Sequence, residues 1–79
     1  MTDEQTLRRY NTALVDIWYA FKIRVMNVSN KDEYWDEVIQ AFDKICKKYK
    51  DTEVYDFAME MSCAAIKSLE NKYRKAAGL

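Results

Sequence analysis

Side chains able to do catalytic or metal chemistry are few in this chain of 79 residues. Histidine, the commonest general base and a frequent metal ligand, does not occur. Pairs of carboxylates stand four residues apart, a spacing that places both side chains on one helix face: Asp32 with Asp36, Glu33 with Glu37, and Asp56 with Glu60. These pairs fall on the polar sides of their predicted helices, whereas the metal-binding carboxylates of helical bundles point inward. We therefore interpret them as solvated surface residues.

The two cysteines and one arginine are the remaining candidates for a reactive site. Cys46 and Cys63 lack a histidine that could activate a thiol, and Cys46 falls within a predicted apolar stripe. Two separate thiols are typical of free cysteines in or near the core of a cytosolic protein. Arg24 approaches an apolar face, and we expect its stem to lie along the core edge while its charge reaches water. The chain is thus predicted to be no enzyme and to bind neither a metal nor a cofactor.

Composition indicates one small helical domain over residues 1–79. Hydrophobic residues make up 49% of the chain and aromatic residues 14%, which favours a folded core over disorder. With one glycine and no proline, the chain has few of the residues that β-hairpin turns and glycine-rich phosphate loops require. The acidic N-terminal segment is not typical of a targeting peptide, and no apolar run approaches the roughly 20 residues that cross a bilayer. We therefore expect a cytoplasmic protein that does not span a membrane.

Hydrophobic periodicity predicts three helices joined by short turns. Apolar residues recur at helical spacing over residues 3–27, 31–49 and 53–76. Short connections favour neighbouring helices that run in opposite directions, so we predict an all-α, three-helix antiparallel up-down-up bundle. The middle helix has its acidic residues first and its lysines last, an order that suits the helix dipole.

Polar residues at the predicted helix ends suggest caps. The candidate N-terminal caps are Thr2 with Gln5 for the first helix, Asn30 with Glu33 or Ser29 with Asp32 for the second, and Asp51 or Thr52 for the third. Gly78 suits the C-terminal cap of the third helix, because glycine tolerates the left-handed backbone conformation found there.

The break between the second and third helices is marked by neither glycine nor proline. Continuing the apolar stripe of the second helix past Tyr49 would bury Thr52, Glu53 and Asp56, which are all polar. The next apolar stripe would lie roughly 140° around an unbroken helix from the first. We therefore predict a tight turn at 50–52, with one long helix in a swapped dimer as the alternative.

The first helix carries more apolar surface than one core contact requires. One set shares an arc roughly 100° wide and is predicted to face the core: Leu7, Tyr10, Leu14, Ile17, Trp18, Phe21, Val25 and Val28. A second set lies roughly 160° away, and a comparable extra set occurs on the third helix. Together these sets predict an exposed protein-binding patch formed by Val15, Tyr19, Ile23, Met26, Val54, Phe57 and Met61. The alternative is an irregular three-helix packing that buries both faces of the first helix.

The predicted patch determines the predicted function. Soluble monomers rarely leave a large apolar patch exposed, and a two-fold dimer is the simplest way to cover one. We predict a non-enzymatic protein-protein interaction module that is homo-oligomeric. One alternative is an inhibitor or adaptor that docks onto a larger macromolecular complex, comparable to small accessory proteins of phages and mobile elements. A second is weak nucleic-acid binding through Arg8, Arg9 and the basic C-terminal helix, although thirteen basic residues balance thirteen acidic ones.

Overall fold

The computed structural model describes residues 3–78, which form three α-helices packed against one another. α1 spans Asp3–Val25, α2 spans Asp32–Lys48 and α3 spans Tyr55–Ala76. Each boundary lies within two residues of the predicted one, and residues 3–78 contain no β-strand. The prediction of an all-α chain with three helices is therefore confirmed. None of these three helices is long and apolar enough to cross a membrane.

All three helices contribute to a core with two parts. The first part contains Ile17 and Ala20 of α1, Val38 and Phe42 of α2, and Leu69 of α3. The second part contains Ala13, Tyr49, Val54 and Ala58. Half-buried Ile45 packs against both parts and so joins them. Phe42 and Leu69 are among the largest fully buried side chains, so removing either would leave a sizeable cavity.

The buried stripe of α1 is narrow and consists mostly of small residues. It contains Ala13, Ile17 and Ala20, spaced four and three residues apart on one helix face. The two alanines contribute little bulk to this contact, and bulkier side chains on either flank lie outside it. The prediction that the whole apolar arc of α1 faces the core is therefore wrong for its exposed members, Leu7, Tyr10, Leu14 and Trp18.

The turn between α2 and α3 confirms the predicted break at 50–52. Asp51 has φ of 67°, in the left-handed region that aspartate tolerates better than most residues. The Thr52 hydroxyl donates to the Tyr49 carbonyl at 2.6 Å and accepts from the Val54 N–H at 3.3 Å. Thr52 thus stabilises the turn, although the N-cap residue of α3 is Val54 rather than Asp51 or Thr52. The alternative of one fused helix is wrong, since α2 and α3 are separate.

The other helix ends only partly match the predicted caps. α2 begins after Lys31, which makes no side-chain cap, so the predicted cap at Asn30 is wrong. The Ser29 hydroxyl instead accepts a hydrogen bond from the Lys31 N–H at 3.1 Å. At the end of α3, Gly78 has φ of 75°, as the predicted C-terminal cap requires. The capping box predicted at Thr2 lies outside the described residues.

The C-terminal end of α1 is capped by side chains of the other two helices. The Tyr34 hydroxyl of α2 donates to the Arg24 carbonyl at 2.9 Å. Lys72 Nζ of α3 donates to the Val25 carbonyl at 2.5 Å. These bonds satisfy two of the carbonyl groups that a helix end leaves without a partner, and they fix where α1 ends.

We expect Phe42→Ala to lower the free energy of unfolding by about 3–5 kcal/mol, the usual cost of a buried aromatic cavity. So large a loss would unfold much of a domain this small. Urea titration followed by circular dichroism at 222 nm measures the change. Ile39→Ala is the matched control, because Ile39 lies on the same helix but is exposed, and its effect should stay within about 0.5 kcal/mol. Equal losses for the two variants would contradict this core.

Candidate protein-binding surface

The side of α1 that faces away from the core carries an apolar surface from residue 14 to the end of the helix, and Met26 directly after the helix extends it. At 100° per residue, its members occupy roughly half of the helix circumference. We call this set the outer surface of α1; its exposed members are Leu14, Val15, Trp18, Tyr19, Lys22, Ile23 and Met26. Lys22 is the single charged side chain in this set, and its Nζ lies 4.3 Å from the centroid of the Tyr19 ring. The cation is therefore held against an aromatic face rather than extended freely into water.

Four of the predicted interface residues lie on the outer surface of α1. Tyr19 is 57% exposed, Ile23 61% and Met26 76%, and Val15 is also exposed. The alternative in which the three helices bury both faces of α1 is therefore wrong for these positions. Their exposure agrees with the sequence prediction, while their role in binding stays a prediction.

The three predicted interface residues of the third helix do not join that surface. Val54 is 0% exposed and belongs to the second part of the core, so the prediction that it is exposed is wrong. The reason is local: Val54 is the N-cap residue, outside the helical turns from which its face was predicted. Phe57 is half-buried, with its ring centroid 5.0 Å from that of Tyr10 in an edge-on contact. Met61 is half-buried against the first part of the core.

A shallow apolar groove of about 260 Å³ runs between α1 and α3 beside the outer surface of α1. Its walls are Leu14, Ile17, Trp18 and Phe21 on α1, and Met61, Ala64, Ala65 and Ser68 on α3. Sequence reasoning missed the groove, because it assigned Leu14 and Trp18 to the core. The signal that could have found it is the pair of alanines at positions 13 and 20, since small residues mark the line where two helices approach most closely.

A polar junction beside the outer surface ties α1 to the end of α2. Asp16 Oδ2 accepts hydrogen bonds from Lys48 Nζ at 2.8 Å and from the Tyr49 hydroxyl at 2.6 Å. Partial burial acts to raise the pKa of Asp16, but the two hydrogen bonds and the charge of Lys48 together lower it below its ordinary value of 3.8. The pKa of Tyr49 is raised, mainly because the hydroxyl is partly buried and secondly because it donates a hydrogen bond to Asp16. Both shifts favour a neutral tyrosine that donates to an ionised carboxylate.

Most of the side chains considered for chemistry are exposed in the described part of the chain. The three carboxylate pairs are exposed, and no group of three metal-ligating side chains occurs among residues 3–78. Cys46 is half-buried, with its Sγ 3.6 Å from the Ser62 hydroxyl, and Cys63 is exposed. Arg24 is half-buried and donates to the Ala20 carbonyl at 2.9 Å, which fits the predicted position at the edge of the core.

Several of the basic side chains that were proposed to bind nucleic acid already make contacts within the protein. Arg8 pairs with Glu4 at 3.0 Å, and Arg9 pairs with Glu53 at 2.7 Å. Lys72 donates to the end of α1. Each arginine is thus accompanied by a carboxylate that would repel phosphate, and this weighs against the nucleic-acid alternative.

We expect Asp16→Asn to destabilise the fold by about 1–2 kcal/mol at neutral pH, since it removes the charge from two hydrogen bonds. Because the folded pKa of Asp16 is lowered, this stabilisation is present above its ordinary pKa of 3.8 and is lost as pH falls through the folded pKa. Urea titrations at pH 7 and at successively lower pH should show the difference from wild type shrinking. Asp43→Asn, at an exposed carboxylate paired with Lys47, is the matched control and should show little effect. A difference that stayed constant with pH would contradict the assigned role of Asp16.

Comparison with protein-family models, with curated proteins and with solved structures finds no match for this chain. The function is therefore inferred from the surface chemistry of the chain itself. The outer surface of α1 is the feature of the described residues that this chemistry singles out.

Proposed function

We propose that this protein is a non-enzymatic protein-protein interaction module that associates with itself through the outer surface of α1. The single observation that carries the proposal is the exposure of Trp18, Tyr19 and Ile23 along α1, together with Met26 directly after it. Aromatic residues and methionine are the side chains most enriched at protein interfaces. A surface of this composition is typical of one that another protein covers.

The energetics of covering the surface favour association. Complete burial of an exposed Leu, Ile or Met side chain contributes about 1.5–3 kcal/mol, and the two aromatic rings of Trp18 and Tyr19 offer larger areas. Association costs roughly 4–15 kcal/mol in lost translational and rotational freedom. The parts of these side chains that are still exposed in two copies supply a burial contribution of the same order as this cost.

In this proposal the three helices run in an antiparallel up-down-up order. Two contacts support it, since Arg9 of α1 meets Glu53 just before α3, and Val25 at the end of α1 meets Lys72 near the end of α3. These contacts favour an order in which α1 and α3 share a direction and α2 returns between them. We place the protein in the cytoplasm, because its two cysteines are free thiols.

The adaptor alternative uses the same surface and differs in what covers it. An inhibitor or adaptor would present Trp18 and Tyr19 to a larger protein instead of to a second copy. Both hypotheses require an exposed apolar helix face. The oligomeric state of the purified chain distinguishes them, because only self-association predicts a dimer without another component. Self-association is the simpler proposal because it needs no other component.

Tyr19→Glu and Met26→Glu should each weaken self-association at least tenfold while the helices stay folded, because each places a charge in an apolar contact without touching the core. Size-exclusion chromatography with light scattering at micromolar concentration should give twice the 9.4 kDa chain mass for wild type and the chain mass for these variants. Circular dichroism at 222 nm checks that the fold is retained.

Ile39→Glu is the matched control, since Ile39 is as exposed as Tyr19 but lies on α2. This variant should stay dimeric. A monomeric wild type would overturn the proposal, and so would a control that dissociates while the α1 variants remain dimers. Lost helical signal in Tyr19→Glu would show that this side chain belongs to the fold instead.

A further inference from the structure

We infer that the groove between α2 and α3 binds a small, freely diffusing organic cation whose ammonium nitrogen carries methyl groups. The groove has a volume of about 340 Å³, which lies within the range of small-molecule sites. Its walls are Trp35 and Ile39 on α2, and Ile66, Glu70, Tyr73 and Arg74 on α3. None of these residues belongs to the outer surface of α1 or to the groove beside it, so the inference is independent of the proposed function.

Each of the two helices contributes one aromatic ring to this groove. Trp35 and Tyr73 are both half-buried, with ring centroids 6.3 Å apart and ring planes at 78° to each other. The face of an aromatic ring is electron-rich, and rings set near a right angle form a corner that attracts a cation. A methylated ammonium group suits such a corner, because its methyl groups make apolar contacts while its charge interacts with the rings.

The Trp35 ring is held in place before any ligand binds. It packs against the first part of the core, and the Tyr34 ring contacts it edge-on with centroids 4.9 Å apart. Tyr34 is itself fixed, because its hydroxyl donates to the Arg24 carbonyl. A ring that is already ordered loses little conformational freedom on binding, and this favours recognition by a small ligand.

Glu70 supplies the negative charge that a cation requires. It precedes Tyr73 by three residues, so the two side chains share one face of α3. Its carboxylate is exposed and forms no ion pair with the cations of residues 3–78, including Arg74 four residues further on. A ligand cation would therefore meet a carboxylate that no side chain of the described region neutralises.

The apolar walls favour an organic cation over a metal ion. Ile39 and Ile66 offer contacts to methyl groups but no ligand to a metal. Residues 3–78 contain no group of three metal-ligating side chains. Arg74 carries the same charge as the ligand and acts against its binding, so Glu70 and Arg74 provide tests of opposite sign.

The test follows the two indole N–H signals of the full chain by NMR while choline is added. The Trp18→Phe spectrum identifies the signal of Trp35, since the chain has two tryptophans. We expect the Trp35 signal to shift saturably while the signal of Trp18, which lies on the outer surface of α1, stays in place. Shifts of both signals, or the same shift with an equal concentration of sodium chloride, would overturn the inference.

The charge of the ligand is tested with the uncharged analogue of choline, in which a tert-butyl group replaces the trimethylammonium group. This analogue should bind about fivefold or more weakly, because it keeps the apolar contacts and loses the cation–π interaction. Equal binding of the two compounds would show an apolar groove without preference for a cation and would overturn the inference.

Charge substitutions on α3 check the electrostatics of the groove. Glu70→Gln should weaken choline binding about twofold to fivefold, and Arg74→Gln should strengthen it by a similar factor. Glu60→Gln is the matched control, since Glu60 is an exposed carboxylate on the same helix that does not line the groove. Unchanged binding by Glu70→Gln, or weaker binding by Arg74→Gln, would contradict the inference.

The aromatic corner is tested at Tyr73. Tyr73→Leu should weaken choline binding about threefold to thirtyfold, while Tyr73→Phe keeps the ring and should bind as wild type does. Far-ultraviolet circular dichroism checks that both variants stay folded. Full binding by Tyr73→Leu would overturn the inference. So would vesicles of phosphatidylcholine that shift the Trp35 signal where free choline does not, because the cation would then belong to a membrane surface. A monomeric wild type would leave this inference standing.

Discussion

The structure depends on which face of α1 meets the other two helices. The contact line of α1 is built from Ala13, Ile17 and Ala20, and two of these have the smallest side chain that still packs as an apolar group. The large, fully buried side chains of the core come from α2 and α3, as Phe42 and Leu69 do. Several bulky residues of α1, among them Trp18, Tyr19 and Ile23, then remain outside. The exposed surface of the protein is thus a consequence of the way its core is packed.

Directional interactions hold α1 in this rotation about its own axis. Asp16 is bound by Lys48 and Tyr49 on the side of α2, and the last carbonyls of α1 accept from Tyr34 and Lys72. A hydrogen bond to a charged group contributes about 1.5–3 kcal/mol. A rotation that buried the Trp18 ring would move Asp16 away from both of its donors. The outward orientation of the apolar surface is therefore maintained by specific bonds, in addition to the packing of the alanines.

The number of helices, their bounds and the break at 50–52 could be predicted, because each follows from the spacing of apolar residues along the chain. The rotation of α1 about its own axis could not be predicted in this way. When apolar residues occupy well over half of a helix, their periodicity shows which residues share a face but not which face meets the core. Hydrophobicity favoured the face with Trp18, whereas packing favoured the face with Ala13.

The position of Val54 shows a second limit of sequence reasoning. Its assignment to an exposed face assumed helical geometry, but φ of −100° and ψ of 7° place this residue outside the regular helix. The angular rule of 100° per residue does not apply there. Helix ends are the least regular parts of a bundle, so face assignments made there are the first to fail. The same reason explains why Lys31, rather than Asn30, precedes α2.

Folding and assembly are coupled in the proposed dimer. A domain of this size buries only about 60% of the surface that its unfolded chain exposes, so its stability depends strongly on any further apolar burial. Association that involves only the folded chain stabilises it by mass action, and the gain rises with concentration. An apolar surface without charge would, however, pair in many registers and with many proteins. One cation near its centre disfavours every register that leaves the ammonium group desolvated without a partner.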